Sequence, residues 1–306
     1  LGMVTTPRWF ETTPPFSWGR YADRSMLKVC WVCYQVIGSI SDSLSMRFSP
    51  WLYSILGALR LEFIDLNCAR GVRSFKASVL SQALSPIAVG CCIAAVGIWR
   101  VARLRPSLHS NEERSRIVSV HTYALLLVSF MAVPPCTMAL FQGLACDTLE
   151  PGGNPYLRAD TSISCSSPSY RRFRAAALLL LAFYVAVPVV WFAMLWRKRR
   201  FLDPRDAQGN RINDKAALLL RQQHRDELAS VAFLFNDYTA RCWSFECATM
   251  FVRVAFVSGL SLIPEPLVRA VCGVLFSVCC FVLVSELSPY QSAATNMLAK
   301  VAWLQI

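Results

Sequence analysis

Charged residues are scarce in this 306-residue chain: Asp, Glu, Lys and Arg make up 16% of it, whereas 55% of the residues are hydrophobic. An ordinary soluble domain has about a quarter of its residues charged. The mean hydropathy is +0.41 and the formal net charge is +12. The basic residues stand beside apolar runs, where they anchor helices and contact anionic lipid. The composition therefore predicts an integral membrane protein whose partner is lipid and not nucleic acid.

Motifs of catalysis and of metal binding are also lacking. The three histidines, His109, His121 and His224, are isolated, and no zinc-protease, phosphate-binding-loop, dinucleotide-binding or nucleophile-elbow motif occurs. Cys30 and Cys33 have the C-x-x-C spacing, but zinc requires a second pair of ligands that the sequence does not supply. We therefore expect no enzyme activity and no cofactor, and we interpret most of the thirteen cysteines as small buried hydrophobes.

Residues 1–25 are polar and lack the apolar run of a signal peptide. The chain begins at Leu1 and stops within an apolar run. We interpret residues 1–25 as an extracellular or lumenal linker from a missing N-terminal region, and residues 26–306 as a transmembrane domain.

Long apolar runs predict an all-α, polytopic bundle of about seven to eight spans. The clearest run, 175–196, is about 33 Å long as a helix, and the hydrocarbon core is roughly 30 Å thick. It ends in four basic residues at 197–200, which the positive-inside rule places in the cytoplasm. Further spans are predicted at 26–44, 78–99, 117–141, 247–263, 267–287 and from 293 onward.

This topology gives two cytoplasmic loops, 100–116 and 197–246, and one outer loop, 142–174. The segment 48–66 carries Arg60, Glu62 and Asp65 within an apolar pattern. It crosses, re-enters or lies at the interface, and the pattern leaves all three open.

Small residues and prolines predict where the spans pack and bend. Gly90 and Ala94 have the small-xxx-small spacing that lets two helix backbones approach closely. Pro86, Pro134 and Pro188 interrupt three spans, so we expect kinks at these positions.

The segment 216–235 is predicted to be an amphipathic cytoplasmic helix. Its apolar face consists of Leu219, Leu220, Leu228, Val231 and Phe235. Arg221 would lie on the opposite, polar face. Docking on the membrane surface or on the bundle is one interpretation, and a solvated connecting helix with an apolar underside is the other.

Two cysteines, Cys146 and Cys165, bound the polar part of the outer loop. On the oxidising side of a membrane they form a disulfide readily, worth roughly 3 kcal/mol for a loop of this size. Free thiols, or a competing bond to Cys68, are the alternatives. We predict the bond between Cys146 and Cys165.

Ionisable residues within apolar spans are costly unless they are paired. Arg253 lies about two turns into one predicted span, and Glu286 lies near the cytoplasmic end of the next. We predict an intramembrane ion pair between them. The alternative is that each side chain extends separately to the interface.

The order of several motifs resembles the C-terminal membrane domain of transient-receptor-potential (TRP)-like proteins of algae and other protists. These motifs are Tyr-Gln-Val-Ile-Gly at 34–38, the run 156–165, Tyr184 with Pro188, Phe-Leu-Phe-Asn-Asp-Tyr at 233–238, and Pro289 with Tyr290. The resemblance covers most of the chain from about residue 27 onward. It implies a cation channel that follows a large extracellular region.

Two departures from a tetrameric channel motivate an alternative. Neither the turn at 264–266 nor the segment 288–292 is long enough for a pore helix and a selectivity filter. We therefore consider a TRP-like channel or transporter subunit first, a non-conducting anchor or structural subunit of a larger assembly second, and a seven-helix receptor third. A plasma-membrane or other eukaryotic endomembrane location, and association with itself or other membrane subunits, fit the first two.

Overall fold

The computed structural model describes residues 24–44, 74–104, 110–148, 153–206 and 208–305. The fold is an all-α bundle with one small antiparallel sheet. The α-helices are α1 (Arg24–Leu44), α2 (Phe75–Ala102), α3 (Ser110–Leu144), α4 (Pro168–Arg197), α5 (Arg199–Leu202), α6 (Asp214–Gln223), α7 (Arg225–Leu228), α8 (Ala232–Phe235), α9 (Phe245–Val257), α10 (Pro266–Leu287) and α11 (Ala293–Gln305). The strands are β1 (Cys146–Thr148), β2 (Pro155–Leu157) and β3 (Asp160–Ser164), and 3-10 turns cover Ala229–Val231, Ala240–Cys242 and Gly259–Leu262. The predicted segment 48–66 lies outside the described residues.

Four helices, α2, α3, α4 and α10, are long and apolar enough to cross a membrane. The chain is thus a membrane protein, but the described residues do not support the predicted count of seven to eight spans. α9 and α11 have 13 residues each, and α9 gives way to a 3-10 turn. α1 has 21 residues but carries Arg24 and Lys28 in its first two turns.

Helix directions follow from the side chains that meet. Gly143 of α3 lies beside Val79 of α2, and Gly97 of α2 lies beside His121 of α3, so these two helices are antiparallel. The Tyr184 hydroxyl of α4 donates to the backbone carbonyl of Ala83 in α2. We name the end of the bundle with residues 197–246 the basic end, and the opposite end, with β1–β3, the hairpin end.

α1 begins at the basic end. The Ser25 hydroxyl pairs with that of Thr295 at the start of α11, at 2.9 Å. Lys28 contacts Asp237 and Glu246, which belong to or adjoin the basic-end segment. The start of α1 therefore lies at the opposite end of the bundle from the disulfide hairpin, and residues 1–23 of the predicted outer linker lie outside the described residues. The reason is that the polar residues of the first turns of α1 find their partners there.

The interior has two apolar clusters. One joins α2, α3, α4 and the turns before α9, with Trp191, Leu140 and Leu234 among its fully buried members. The other joins α1, α9, α10 and α11 around Phe256 and Trp303. Many aliphatic side chains of α4 and α10 remain exposed on the outside of the bundle, which is the arrangement expected when lipid is the solvent.

The prediction of one continuous amphipathic helix over 216–235 is wrong. The segment is divided into α6, α7, a 3-10 turn and α8, so its residues do not share one straight helical face. Leu219 is 62% exposed, whereas Arg221, predicted to face solvent, is 6% exposed. The guanidinium of Arg221 donates to the backbone carbonyls of Leu202 and Tyr238. Burial lowers the pKa of Arg221 to about 10, which leaves it charged at neutral pH.

The predicted packing residues Gly90 and Ala94 are both half-buried on α2. A Cβ at Gly90 would lie 3.6 Å from a Leu125 methyl of α3, an ordinary contact. The close approach is about two turns beyond Gly90, where a Cβ at Gly97 would lie 2.9 Å from Cγ of His121. α2 and α3 are in contact, and the space between them is smaller at Gly97 than at Gly90. A packing role for Gly90 and Ala94 stays a prediction.

Pro86, Pro134 and Pro188 lie inside the continuous helices α2, α3 and α4. Kinks at these residues remain a prediction.

Candidate functional site: a buried charge cluster between the first helix and the bundle

The disulfide between Cys146 and Cys165 is present, as the sequence predicts. It closes a hairpin of three short strands in the order β1-β2-β3. The Arg158 guanidinium donates to both carboxylate oxygens of Asp147, at 2.6 and 2.9 Å. These hydrogen bonds hold the pKa of the Asp147 carboxyl below its usual value. The hairpin is therefore fixed both covalently and by a bidentate ion pair.

The predicted ion pair between Arg253 and Glu286 is not formed. Arg253 is 0% exposed and faces α1 and α3, and Glu286 is exposed near the basic end of α10. One nitrogen of Arg253, Nη2, donates to the Gln35 side-chain oxygen of α1 and to the Phe130 backbone carbonyl of α3, the latter at 3.2 Å. The guanidinium carbon lies 4.3 Å from the centroid of the Phe130 ring.

Two consecutive prolines in α3 leave free backbone carbonyls that accept hydrogen bonds from Arg253 and Gln35. A proline has no N–H to donate four residues back, so Pro134 and Pro135 leave the carbonyls of Phe130 and Met131 without their usual helical partners. The Phe130 carbonyl accepts from Arg253. The Met131 carbonyl accepts from the Gln35 amide nitrogen at 3.4 Å. The proline pair thus creates two acceptors in the middle of the bundle, and side chains of α9 and α1 use them.

Two further nitrogens of Arg253, Nε and Nη1, are buried and have no hydrogen-bond partner within the part of the chain that the structure describes. A buried, incompletely paired charge is among the most costly features a protein can keep. Its presence in a membrane bundle is a reason to look for function there.

Lys28 lies about two helical turns before Gln35, on the same face of α1. Its ammonium nitrogen lies 2.7 Å from a carboxylate oxygen of Asp237 and 3.1 Å from one of Glu246. It also donates to the Phe233 backbone carbonyl at 2.7 Å. The face of the Phe233 ring is 4.1 Å away, within cation–π range. We call these three acceptor residues, Phe233, Asp237 and Glu246, the ammonium site.

Tyr238 completes the surroundings of Glu246. Its hydroxyl donates to the Glu246 carboxylate at 2.9 Å, and its ring lies 5.2 Å from that of Tyr290. Burial raises the pKa of Tyr238 well above its usual value. The phenol therefore stays protonated and remains a donor to the carboxylate.

The charge cluster, by which we mean Lys28, Asp237, Glu246 and Arg253, has two positive and two negative members and is formally neutral. The side chains of Lys28, Asp237 and Glu246 are 14%, 13% and 3% exposed. Because Glu246 and Arg253 are seven residues apart, they lie about 10 Å apart along one face of α9. α1 and α9 thus meet at two levels, one ionic and one between Arg253 and Gln35.

The sequence did contain a signal for this cluster. Lys28 and Gln35 stand seven residues apart in an otherwise apolar run, as do Glu246 and Arg253. Matching the two spacings would have suggested that these faces meet.

Comparison with protein-family models, with curated proteins and with solved structures finds no match to this chain. Fold and site together define a helical membrane protein with a neutral charge cluster inside its bundle. In the described residues no group of three or more His, Cys, Asp or Glu is placed to hold a metal ion.

Proposed function

We propose that this chain is a TRP-like integral membrane protein that acts as a cation channel or transporter subunit. The observation that carries the proposal is the charge cluster. Ionisable groups inside a membrane bundle are costly, and they are found on ion and proton pathways. Here two carboxylates lie beside a helix, α1, that is too polar to be a simple lipid-exposed anchor.

The TRP-like motifs support the proposal by where they lie. The run 233–238 supplies Phe233, Asp237 and Tyr238 to the site. Gln35, from the motif 34–38, contacts Arg253. Motifs far apart in the chain therefore converge on one location.

We further propose that seven helices, α1, α2, α3, α4, α9, α10 and α11, form the membrane domain, with the shorter ones inserted against their neighbours. The short helices α9 and α11 are flanked by longer, apolar ones. Ser258, directly after α9, pairs with Thr137 of α3 at 2.9 Å, and Thr295 of α11 pairs with Ser25 of α1 at 2.9 Å. In lipid such internal pairing is required because water is absent.

The alternative function is a non-conducting anchor or structural subunit of a larger membrane assembly. The observation that favours it is that the chain's own Lys28 already occupies the ammonium site. Lys28 is bound on several sides by the chain's own groups. The cleft of about 410 Å³ at the basic end is lined by Arg114, Lys198 and Glu227 among others and not by the cluster. In this alternative, the cluster only holds α1 in place.

Cation flux through liposomes that contain the purified full chain separates the two functions. We expect the wild-type protein to pass monovalent cations and Glu246→Gln to reduce the flux at least about tenfold. The matched control is Glu286→Gln, which neutralises an exposed carboxylate of α10 and should leave the flux unchanged. Absence of flux from correctly folded wild-type protein would leave the anchor function.

A further inference from the structure

The ammonium site has the composition of a binding site for a free cation. Around the Lys28 nitrogen stand carboxylate oxygens of Asp237 and Glu246, the Phe233 carbonyl oxygen and the Phe233 ring face. Oxygen ligands suit hard cations, and an aromatic face attracts ammonium-type cations. The cation that is present is covalently part of the chain.

The helix that carries this cation is held by polar contacts in addition to the apolar packing of Val29 and Val36. Ser25 pairs with Thr295, Lys28 with the ammonium site, and Gln35 with Arg253 and α3. α1 is not apolar enough to rank among the span-length helices.

Charge counting specifies what could replace Lys28. Without its ammonium, the remaining members of the charge cluster are Asp237, Glu246 and Arg253, which sum to one negative charge. A monovalent cation restores neutrality, whereas a divalent one leaves an excess positive charge inside the bundle. The short distances of 2.7 Å to Asp237 and to the Phe233 carbonyl fit a small, hydrogen-bonding cation.

We propose that Lys28 is a tethered ammonium that occupies a monovalent-cation site formed by Phe233, Asp237 and Glu246, and that this site binds a free primary alkylammonium or alkali cation when the Lys28 ammonium is removed. This inference deepens the proposed function, because it makes the ammonium site a station on the cation pathway that α1 closes. The binding part of the claim does not depend on conduction.

Chemical complementation of Lys28→Ala tests the site. The substitution removes a propylammonium-sized group, so the purified full chain in detergent is titrated with n-propylammonium chloride while its melting temperature is followed. We expect Lys28→Ala to melt about 10 °C below wild type and n-propylammonium to restore at least half of that loss. Tetramethylammonium chloride at equal ionic strength should restore none of it, since it cannot donate hydrogen bonds to the carboxylates.

Two controls make the result specific. Wild-type protein should not respond to n-propylammonium, because Lys28 already fills the site. Lys76→Ala, which removes an ammonium bonded to the Ser169 hydroxyl at the surface, should show neither the loss nor the restoration. Equal restoration by tetramethylammonium and n-propylammonium would overturn the proposal as a general salt effect.

A second variant covers the case in which Lys28→Ala does not fold. Lys28→Met keeps the side chain out to its last carbon and removes only the ammonium, so ammonium chloride should restore it. Recovery of folded protein only when n-propylammonium (for Lys28→Ala) or ammonium (for Lys28→Met) is present supports the proposal, and failure of both cations overturns it.

Uptake of radiolabelled methylammonium into liposomes separates this inference from the proposed function. We expect Lys28→Ala to increase uptake about tenfold over wild type. Restoration of stability without uptake would uphold the cation site and contradict the conduction pathway. Uptake without restoration of stability would uphold the conduction pathway and contradict the cation site.

Discussion

Replacement of Gly97 by Ala probes the closest approach between α2 and α3. A Cβ there would lie 2.9 Å from Cγ and 3.0 Å from Cδ2 of His121. The His121 ring cannot move away cheaply, because its Nδ1 is hydrogen-bonded to the Ile117 carbonyl at 2.7 Å. Overpacking of this kind costs about 1–3 kcal/mol, against a gain of about 0.5–1 kcal/mol for replacing glycine within a helix. We expect a net destabilisation of about 0.5–2 kcal/mol.

Gly90→Ala is the matched control on the same helix. Its Cβ would meet only a Leu125 methyl at 3.6 Å, so the helical gain should dominate and the variant should be stabilised by about 0.5–1 kcal/mol. Both free energies are measured by reversible unfolding of the full chain in mixed micelles. If Gly97→Ala were as stable as Gly90→Ala, the close packing of α2 on α3 would be refuted.

Three further predictions concern the hairpin end and the basic end. Cys165→Ser should lower the free energy of unfolding by about 3 kcal/mol under oxidising conditions and by nothing once wild type is reduced; a loss that persists under reduction would contradict this. Because the folded pKa of Asp147 is lowered by Arg158, its contribution should be present above the ordinary carboxyl pKa of about 3.9 and disappear as the pH falls through the folded pKa. Proteolysis of the hairpin followed against pH should show this, and an unchanged profile in Asp147→Asn would refute it. Arg221→Lys should cost about 2 kcal/mol because it loses the paired donors to backbone carbonyls, whereas Arg225→Lys at an exposed position should melt like wild type; equal melting temperatures would exclude the role of Arg221.

Features that depend on residues close together in sequence were predictable. The apolar runs anticipate α2, α3, α4 and α10, because the length of such a run alone decides whether it can cross lipid. The disulfide could be anticipated because Cys146 and Cys165 bound a single loop on one side of the membrane.

Features that depend on distant partners were not predictable in the same way. Arg253 was assigned to Glu286 because their helices are joined by a short turn, yet its partner Gln35 lies 218 residues earlier. Gly97 carries no sign in the sequence that His121 faces it. The choice depends on the register between two helices, which no single helix reveals.

The prediction that Arg221 lies on a polar helix face was wrong for a different reason. A projection of 216–235 assumes one straight helix, but the chain turns at His224 and again at 229–231. Leu219 and Arg221 both lie in α6, before these breaks, so α6 is not bound to the face that Leu228, Val231 and Phe235 share. It packs through Ala217 and Arg221 instead, because the Leu202 and Tyr238 carbonyls accept hydrogen bonds from the guanidinium. The sequence did not reveal that α1 begins at the basic end, because the partners of Lys28 are more than 200 residues away.

A double-mutant cycle between Lys28 and Glu246 tests most directly whether the charge cluster holds α1 in the bundle. Lys28→Met should cost about 3 kcal/mol or more, because it leaves the two carboxylates of Asp237 and Glu246 buried without their cation. Glu246→Gln should cost less, because Lys28 keeps Asp237 and the Phe233 carbonyl as partners. The double variant should recover a coupling energy of about 2 kcal/mol. Single-variant effects that add to within about 0.5 kcal/mol would show that the two groups do not interact, and would contradict the account.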